Sequence, residues 1–312
     1  MESYLRKCCV VFVLLSFGFS VVKAQAQAQV PCFFVFGDSL VDNGNNNGLV
    51  SFARANYFPY GIDFGGPTGR FSNGKTTVDE IAELLGFNGY IPAYNSVSGR
   101  QILSGVNYAS AAAGIREETG RQLVNKSQKH FLSTLLYIGK LTSFTIIFLG
   151  GFVQALYNYG ARKFALSGVG AVGCSPNALA GSRDGRTCVE RINSANQIFN
   201  NKLKSLVDQL NNNHPDAKFI YINAYGIFQD MITNPARFGF RVTNAGCCGI
   251  GRNAGQITCL PGQRPCNNRN AYVFWDSFHP TEAANVIIAR RSYNAQSPSD
   301  AYPMDISRLA QL

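Results

Sequence analysis

Three side chains in this 312-residue chain have the types and spacing for nucleophilic catalysis: Ser39, Asp276 and His279. Ser39 stands in FFVFGDSLVDNGNNN, residues 33–47, where an apolar run stops at Gly-Asp-Ser and an Asn/Gly-rich stretch follows. A serine hydroxyl is a poor nucleophile until a base takes its proton. Histidine is the usual base, because its pKa is near neutral. The chain has three histidines: His130, His214 and His279. His214, in NNNHPDAK, reads as solvated surface, and His130 falls in a stretch with no clear element. His279 follows Asp276 by three residues in FWDSFHPT. An aspartate so placed fixes the imidazole tautomer and stabilises the imidazolium. A lone serine at a strand end is ordinarily a cap or turn residue, and Asp-x-x-His alone is a weak motif. Their occurrence together is more specific.

These residues need elements to hold them. CFFVFGDS reads as a fully buried strand running into a turn. TTVDEIAELLG has helical spacing, with Thr76 or Thr77 as N-cap and Gly86 after its last turn. GVNYASAAAGI reads as a short strand followed by small residues and Gly114. SFTIIFLGG and ARKFALSGVGAVGC read as two further strands. VERINSANQIFNNKLKSLVDQLNNN is a long amphipathic helix, DAKFIYINAYGIFQDMI a strand and then a helix, and TEAANVIIARRSY a final helix. Strands that alternate with helices and are apolar throughout imply an α/β fold with a mostly parallel sheet covered on both sides. Ligands in such sheets bind beyond the carboxyl ends of the strands, where Ser39, Gly114 and the loop at Gly170 are expected.

Hydrophobic residues make up 46% and charged residues 15% of the chain, a balance that fits a packed core rather than disorder. Basic MESYLRK, apolar CCVVFVLLSFGFSVV and small-residue KAQAQAQ follow one another at the N-terminus. That order reads as a signal peptide over 1–24, with Ala26 and Ala28 as alternative ends, and the apolar run is short for a membrane span. One domain, residues 25–312, follows, expected outside the cell and without a stable membrane anchor. The net charge of +10 is scattered rather than clustered, so a nucleic-acid partner is not expected. Weak association with an acidic cell-wall polymer is compatible with it. Nine cysteines are present, and Cys8 and Cys9 leave with the signal peptide. The remainder, Cys32, Cys174, Cys188, Cys247, Cys248, Cys259 and Cys266, are expected mostly as disulfides in a secreted chain. Export, and the lack of a histidine among Cys247–Cys266, argue against zinc, and no metal or cofactor is expected. Asn125-Lys126-Ser127 is a glycosylation sequon.

FVFGDSLVDNGNN, PYGIDF, PTGRFSNG, NYASAAAGI, GARKFALSGVGAVGCSP and DSFHPTEAAN together resemble the plant GDSL esterase/lipases, a branch of the SGNH hydrolases. The resemblance implies a flavodoxin-like three-layer α/β/α fold and hydrolysis of carboxylic esters, including acyl or lipid esters. It implies Ser39 as nucleophile, His279 as base and Asp276 as the residue that orients it. It further implies an oxyanion hole from the backbone N–H groups of Ser39 and Gly114 and an asparagine side chain. The Asn/Gly-rich loop after Ser39 is expected to place N–H groups near that oxyanion.

One block of the resembled pattern is absent. The family's Gly-x-Asn-Asp, which supplies the oxyanion asparagine, should end the strand before QALYNYGARKF, where this chain has SFTIIFLGGFVQ. Asn158 belongs to the following helix and does not replace it. The segment 126–153 is atypical as a whole and short of the elements a right-handed crossover needs. The odd cysteine count fits loss of a segment carrying a partner, as in an altered splice product or gene model; the alternative is a divergent but complete enzyme. Three functions are therefore in play: a secreted acyl esterase, a cell-wall or carbohydrate acetyl esterase, and an impaired variant that only binds its ligand.

Overall fold

The computed structural model describes residues 27–114 and 138–312. The leader, Asn125, His130 and part of the 126–153 segment lie outside the described residues.

The sheet alternates as a strand covered on both faces should. Strand β1 (Lys163–Ser167) pairs in parallel with β2 (Lys218–Ile222), with Phe164 opposite Phe219. In β2 successive side chains point to opposite faces. Phe219 and Tyr221 pack against α2 (Ile138–Asn158) and α4 (Glu190–Asn213) through Val153, Leu203, Val207 and Leu210. Ile220 and Ile222 pack the other way, on α1 (Thr77–Leu84), α6 (Glu282–Tyr293) and α7 (Ile306–Gln311), through Ile81, Ala289 and Leu309. The result is a three-layer α/β/α arrangement. The short β5 (Ala301–Tyr302) adds to β2 antiparallel, and a parallel pair, β3 (Val242–Gly246) and β4 (Tyr272–Phe274), stands beside it. Short α3 (Pro176–Ala180) and α5 (Ala224–Thr233) complete the regular elements used below.

The helix ends follow local chemistry. Thr76 and Asp79 form a capping box at α1, and Gly86 takes φ +83° just past its C-cap Leu85. Thr281 caps α6, accepting from the Ala284 N–H. Helices α4, α5 and α6 and strands β1 and β2 lie where their periodicity puts them.

Three expectations differ from what forms. Residues 143–151, read as a strand, lie inside helix α2. A short apolar run carries no period that separates a strand from a buried helix, and here it continues into a 21-residue helix. The run before Ser39 is extended and pairs in parallel with residues 104–110 about Val35 and Asn107, through backbone hydrogen bonds of Phe33, Val35, Tyr108 and Ser110, but it is not buried on both faces. Only Val35 is buried; Phe34 and Phe36 are 43% and 42% exposed. A strand buried on both faces needs covering layers, and the described residues leave Phe34 and Phe36 partly uncovered. His214 is not free surface either: it caps α4, its Nε2 lies 3.0 Å from Gln154 Oε1, and its ring packs on Tyr157. Among the described residues no helix is long and apolar enough to cross a membrane.

Candidate active site

Asp276 and His279 sit in the turn that leaves β4. The turn closes through the Trp275 N–H, which donates to the His279 carbonyl at 2.8 Å, and Phe274 bridges Pro280. Asp276 organises it from inside: its Oδ1 accepts the N–H groups of Phe278 and His279, each at 2.9 Å. This is the local side-chain-to-backbone bonding that favours aspartate in turns. The Asp-x-x-His spacing thereby brings the imidazole back over the carboxylate, with Nδ1 2.8 Å from Oδ1. On the far side of the ring, Nε2 lies 2.8 Å from Ser39 Oγ. The Phe71 ring, from PTGRFSNG, packs 4.9 Å from the imidazole.

Ser39 is carried by a loop tied down with side-chain amides. The Asp38 carbonyl accepts from Val41 and Asp42. Asp42, fully buried, accepts the N–H groups of Gly44, Asn45 and Ala111. Asn45 Nδ2 donates to the carbonyls of Asn107 and Ala109, Asn46 Nδ2 to those of Ala53 and Ala111, and Asn107 Nδ2 to Val41. Asn43 Nδ2 donates to the Ile91 carbonyl. The asparagines therefore add to the backbone hydrogen bonds that pair residues 33–37 with 104–110, and lash the loop to residues 105–111. That corrects the expectation that this loop supplies oxyanion donors: the Gly44 and Asn45 N–H groups are engaged by Asp42. Gly114 is exposed at the end of the stretch held this way, three residues beyond Ala111.

The electrostatics suit proton transfer. Burial pushes the His279 pKa down, but the facing Asp276 carboxylate outweighs it and holds the value above the ordinary histidine value of 6.5. Burial pushes the Asp276 carboxyl up, and the His279 charge and hydrogen bonds from His279, Tyr60 and Phe278 bring it below the usual carboxylate range. Leu40 and Phe278, the sequence neighbours of the serine and the histidine, are both exposed, and the Phe278 ring lies edge-on 6.2 Å from the imidazole.

Two groups at the site carry no signal in the sequence. The Tyr60 hydroxyl lies 2.6 Å from Asp276 Oδ2, and the Thr258 hydroxyl lies 3.0 Å from the same oxygen. Thr258 lies in a loop closed by Cys248–Cys259 and Cys247–Cys266; a third bridge joins Cys174 to Cys188, and Cys32 is free.

The GDSL-like Lipase/Acylhydrolase family model matches residues 33–151 and, separately, 148–292, so its two stretches meet at 148–151. GDSL esterase/lipase At1g29670 of Arabidopsis thaliana is 75% identical, with both chains covered fully. GDSL esterase/lipase At1g29660 of the same plant is 58% identical, again over the whole of both. The first alignment runs to 363 positions against the 312 residues here, so the relative carries residues opposite gaps in this chain. With this coverage, the chain belongs to the GDSL-like lipase/acylhydrolase family and is a carboxylic ester hydrolase.

Proposed function

We propose that the protein is a secreted serine esterase that cleaves acyl esters through a covalent acyl-enzyme. Ser39 Oγ attacks the ester carbonyl while His279 Nε2 takes its proton, and Asp276 holds the imidazole and stabilises its charged form. The N–H groups of Ser39 and Gly114 receive the oxyanion. His279 then protonates the leaving alkoxide, and a water molecule, deprotonated by the same nitrogen, releases the acid. The observation that carries this reading is the continuous contact from Asp276 through His279 to Ser39 Oγ. Exposed apolar side chains next to the serine and the histidine, Leu40 and Phe278, favour an acyl chain over a carbohydrate acetyl group. Three disulfides, together with the leader pattern, support export to the apoplast or cell wall. The sequon at Asn125 is a glycosylation site on that route.

A second reading, an impaired enzyme that retains ligand binding, draws on a specific observation. The family match breaks at 148–151, inside helix α2, where the sequence pattern calls for the Gly-x-Asn-Asp strand. Loss of one oxyanion donor costs about a hundred- to a thousand-fold in rate. The chain is on this account a shortened form of a complete relative, with the triad kept and one donor gone.

Hydrolysis of a short-chain p-nitrophenyl ester, measured beside Ser39→Ala, tests both. Turnover that the substitution abolishes supports the esterase. A folded, monodisperse protein that neither turns over nor reacts with a serine-directed phosphonate sinks the esterase reading and leaves the binding form.

A further inference from the structure

Asp276 divides its two oxygens between different parts of the molecule. Oδ1 is occupied by its own turn, through the N–H groups of Phe278 and His279, and the imidazole Nδ1 faces both oxygens, 2.8 Å from Oδ1 and 2.9 Å from Oδ2. Oδ2 faces the hydroxyls of Tyr60 and Thr258, which come from remote segments, 216 and 18 residues away. We infer that Tyr60 and Thr258 are positioning residues, whose hydroxyls fix the Asp276 carboxylate and set how strongly its charge acts on His279. The inference rests on the catalytic reading above.

The two hydroxyls are themselves held rigidly. Tyr60 is 1% exposed, and its ring is packed edge-on by Tyr57, Phe71 and Trp275, with centroids 5.3, 5.9 and 6.1 Å away. Phe71 is the same ring that packs on His279. Thr258 precedes Cys259, which is bridged to Cys248, and the Cys248 N–H donates to the Trp275 carbonyl. The Tyr57 hydroxyl donates to the Cys259 carbonyl at 2.9 Å. The PYGIDF segment and the disulfide loop thus converge on one carboxylate oxygen, with the two hydroxyls 3.0 Å from each other. Burial, and then the neighbouring Asp276 charge, push the Tyr60 hydroxyl well above its ordinary range, so it remains a donor wherever the enzyme works.

A carboxylate that accepts two hydroxyl donors has part of its charge taken up by them. Removing one donor concentrates the charge on the oxygen pair facing His279. The imidazolium is then better stabilised, and the histidine holds its proton to higher pH. The ionisable groups acting around this pair are Tyr60 and Tyr57 at the carboxylate, Asp38 on the His279 side, and Arg54 acting on Tyr57. Thr258→Val leaves Tyr57, Asp38 and Arg54 in place and takes from Tyr60 only its 3.0 Å contact with the Thr258 hydroxyl, and Tyr60→Phe removes only the hydroxyl that is itself in question.

The test is a titration of the His279 ring by 15N NMR in the purified full chain, its resonance assigned by loss in His279→Gln. Wild type is compared with Tyr60→Phe, Thr258→Val and the distant control Tyr293→Phe. The expected result is an upward shift of about half a unit or more in both site variants and none in the control. The acid limb of kcat/KM for p-nitrophenyl acetate should move the same way. A His279 titration unchanged in both folded variants overturns the inference. Should Tyr60→Phe fail to fold, Thr258→Val decides alone. Should wild type bind but not hydrolyse the ester, the catalytic reading falls, while the ring titration still decides whether the hydroxyls govern His279.

Discussion

Ser39 Oγ and His279 Nε2 lie 2.8 Å apart across 240 residues of sequence. No local preference produces that contact. It follows from two loops, one tied by asparagine amides to residues 105–111 and one built on the Asp276 turn, that are each rigid before they meet. Ser39→Ala is expected to lower kcat by about four to six orders of magnitude with little change in stability. Asp276→Asn should cost on the order of ten thousand-fold, because the amide favours the wrong imidazole tautomer. Steady-state kinetics with thermal melts beside them check both.

The pH dependence has a definite sign. As the proposed base, His279 can take a proton only when neutral. Its pKa is raised above 6.5 because the Asp276 charge outweighs burial. The rate should therefore be lost as pH falls through a value above the ordinary histidine one, and regained on return. An acid limb of kcat/KM at or below that ordinary value would contradict the assignment of His279 as base.

Much of this site was legible in the sequence, for identifiable reasons. Ser39, Asp276 and His279 stand in short motifs whose chemistry depends on residue type. Helices α1, α4 and α6 announce themselves by period and caps. Tyr60 and Thr258 were not legible, since only tertiary packing brings a tyrosine from PYGIDF and a threonine from a disulfide loop to one oxygen. Residues 143–151 were misread because an apolar run of that length fits a strand and a buried helix equally. The Asn/Gly-rich loop after Ser39 reads by composition as a source of N–H groups for the oxyanion, whereas the N–H groups of Gly44 and Asn45 are taken by Asp42, and the amides of Asn45 and Asn46 by backbone carbonyls.

The disulfide loop should matter to rate as well as to stability. Replacing Cys248 and Cys259 by alanine together is expected to cost about 2–4 kcal/mol. The Cys174 and Cys188 double variant should cost a comparable amount. Only the first frees Thr258 beside Asp276. Under conditions where both variants are fully folded, kcat should fall further in the Cys248/Cys259 variant. Equal losses would mean that the loop acts through stability alone.

Arg70 and Asp79 form a bidentate pair with both bonds at 2.7 Å, and both side chains are buried. Asp79 also accepts from the N–H and hydroxyl of Thr76 at the start of α1. Removing one partner leaves a charge without compensation in the interior, so Asp79→Ala should destabilise by about 3–5 kcal/mol in denaturant unfolding. Phe71 adjoins Arg70 and packs on His279, so loosening here should also lower kcat before global unfolding. A loss below about 1 kcal/mol would show that water reaches the pair.

Two aromatic positions, one in β2 and one before Ser39, should respond unequally to the same substitution. Phe219 in β2 is fully buried, stacks on Phe164, and lies between α2 and α4. Truncation there removes transfer energy and leaves a cavity, so Phe219→Ala should cost about 3–5 kcal/mol. Phe36, on the run into Ser39, keeps only ring contacts with Tyr108 and Phe152 and is nearly half exposed. Each such pair contributes about 0.5–1.5 kcal/mol, so Phe36→Ala should cost less than half as much as Phe219→Ala. Relatives carry additional residues where this chain has gaps, and the family match breaks beside Phe152. If that added segment covers Phe36 in the relatives, the same substitution in GDSL esterase/lipase At1g29670 should cost as much as the β2 variant does here. Equal, small losses in both proteins would show that the extra residues lie elsewhere and that the exposed face before Ser39 is native to the family.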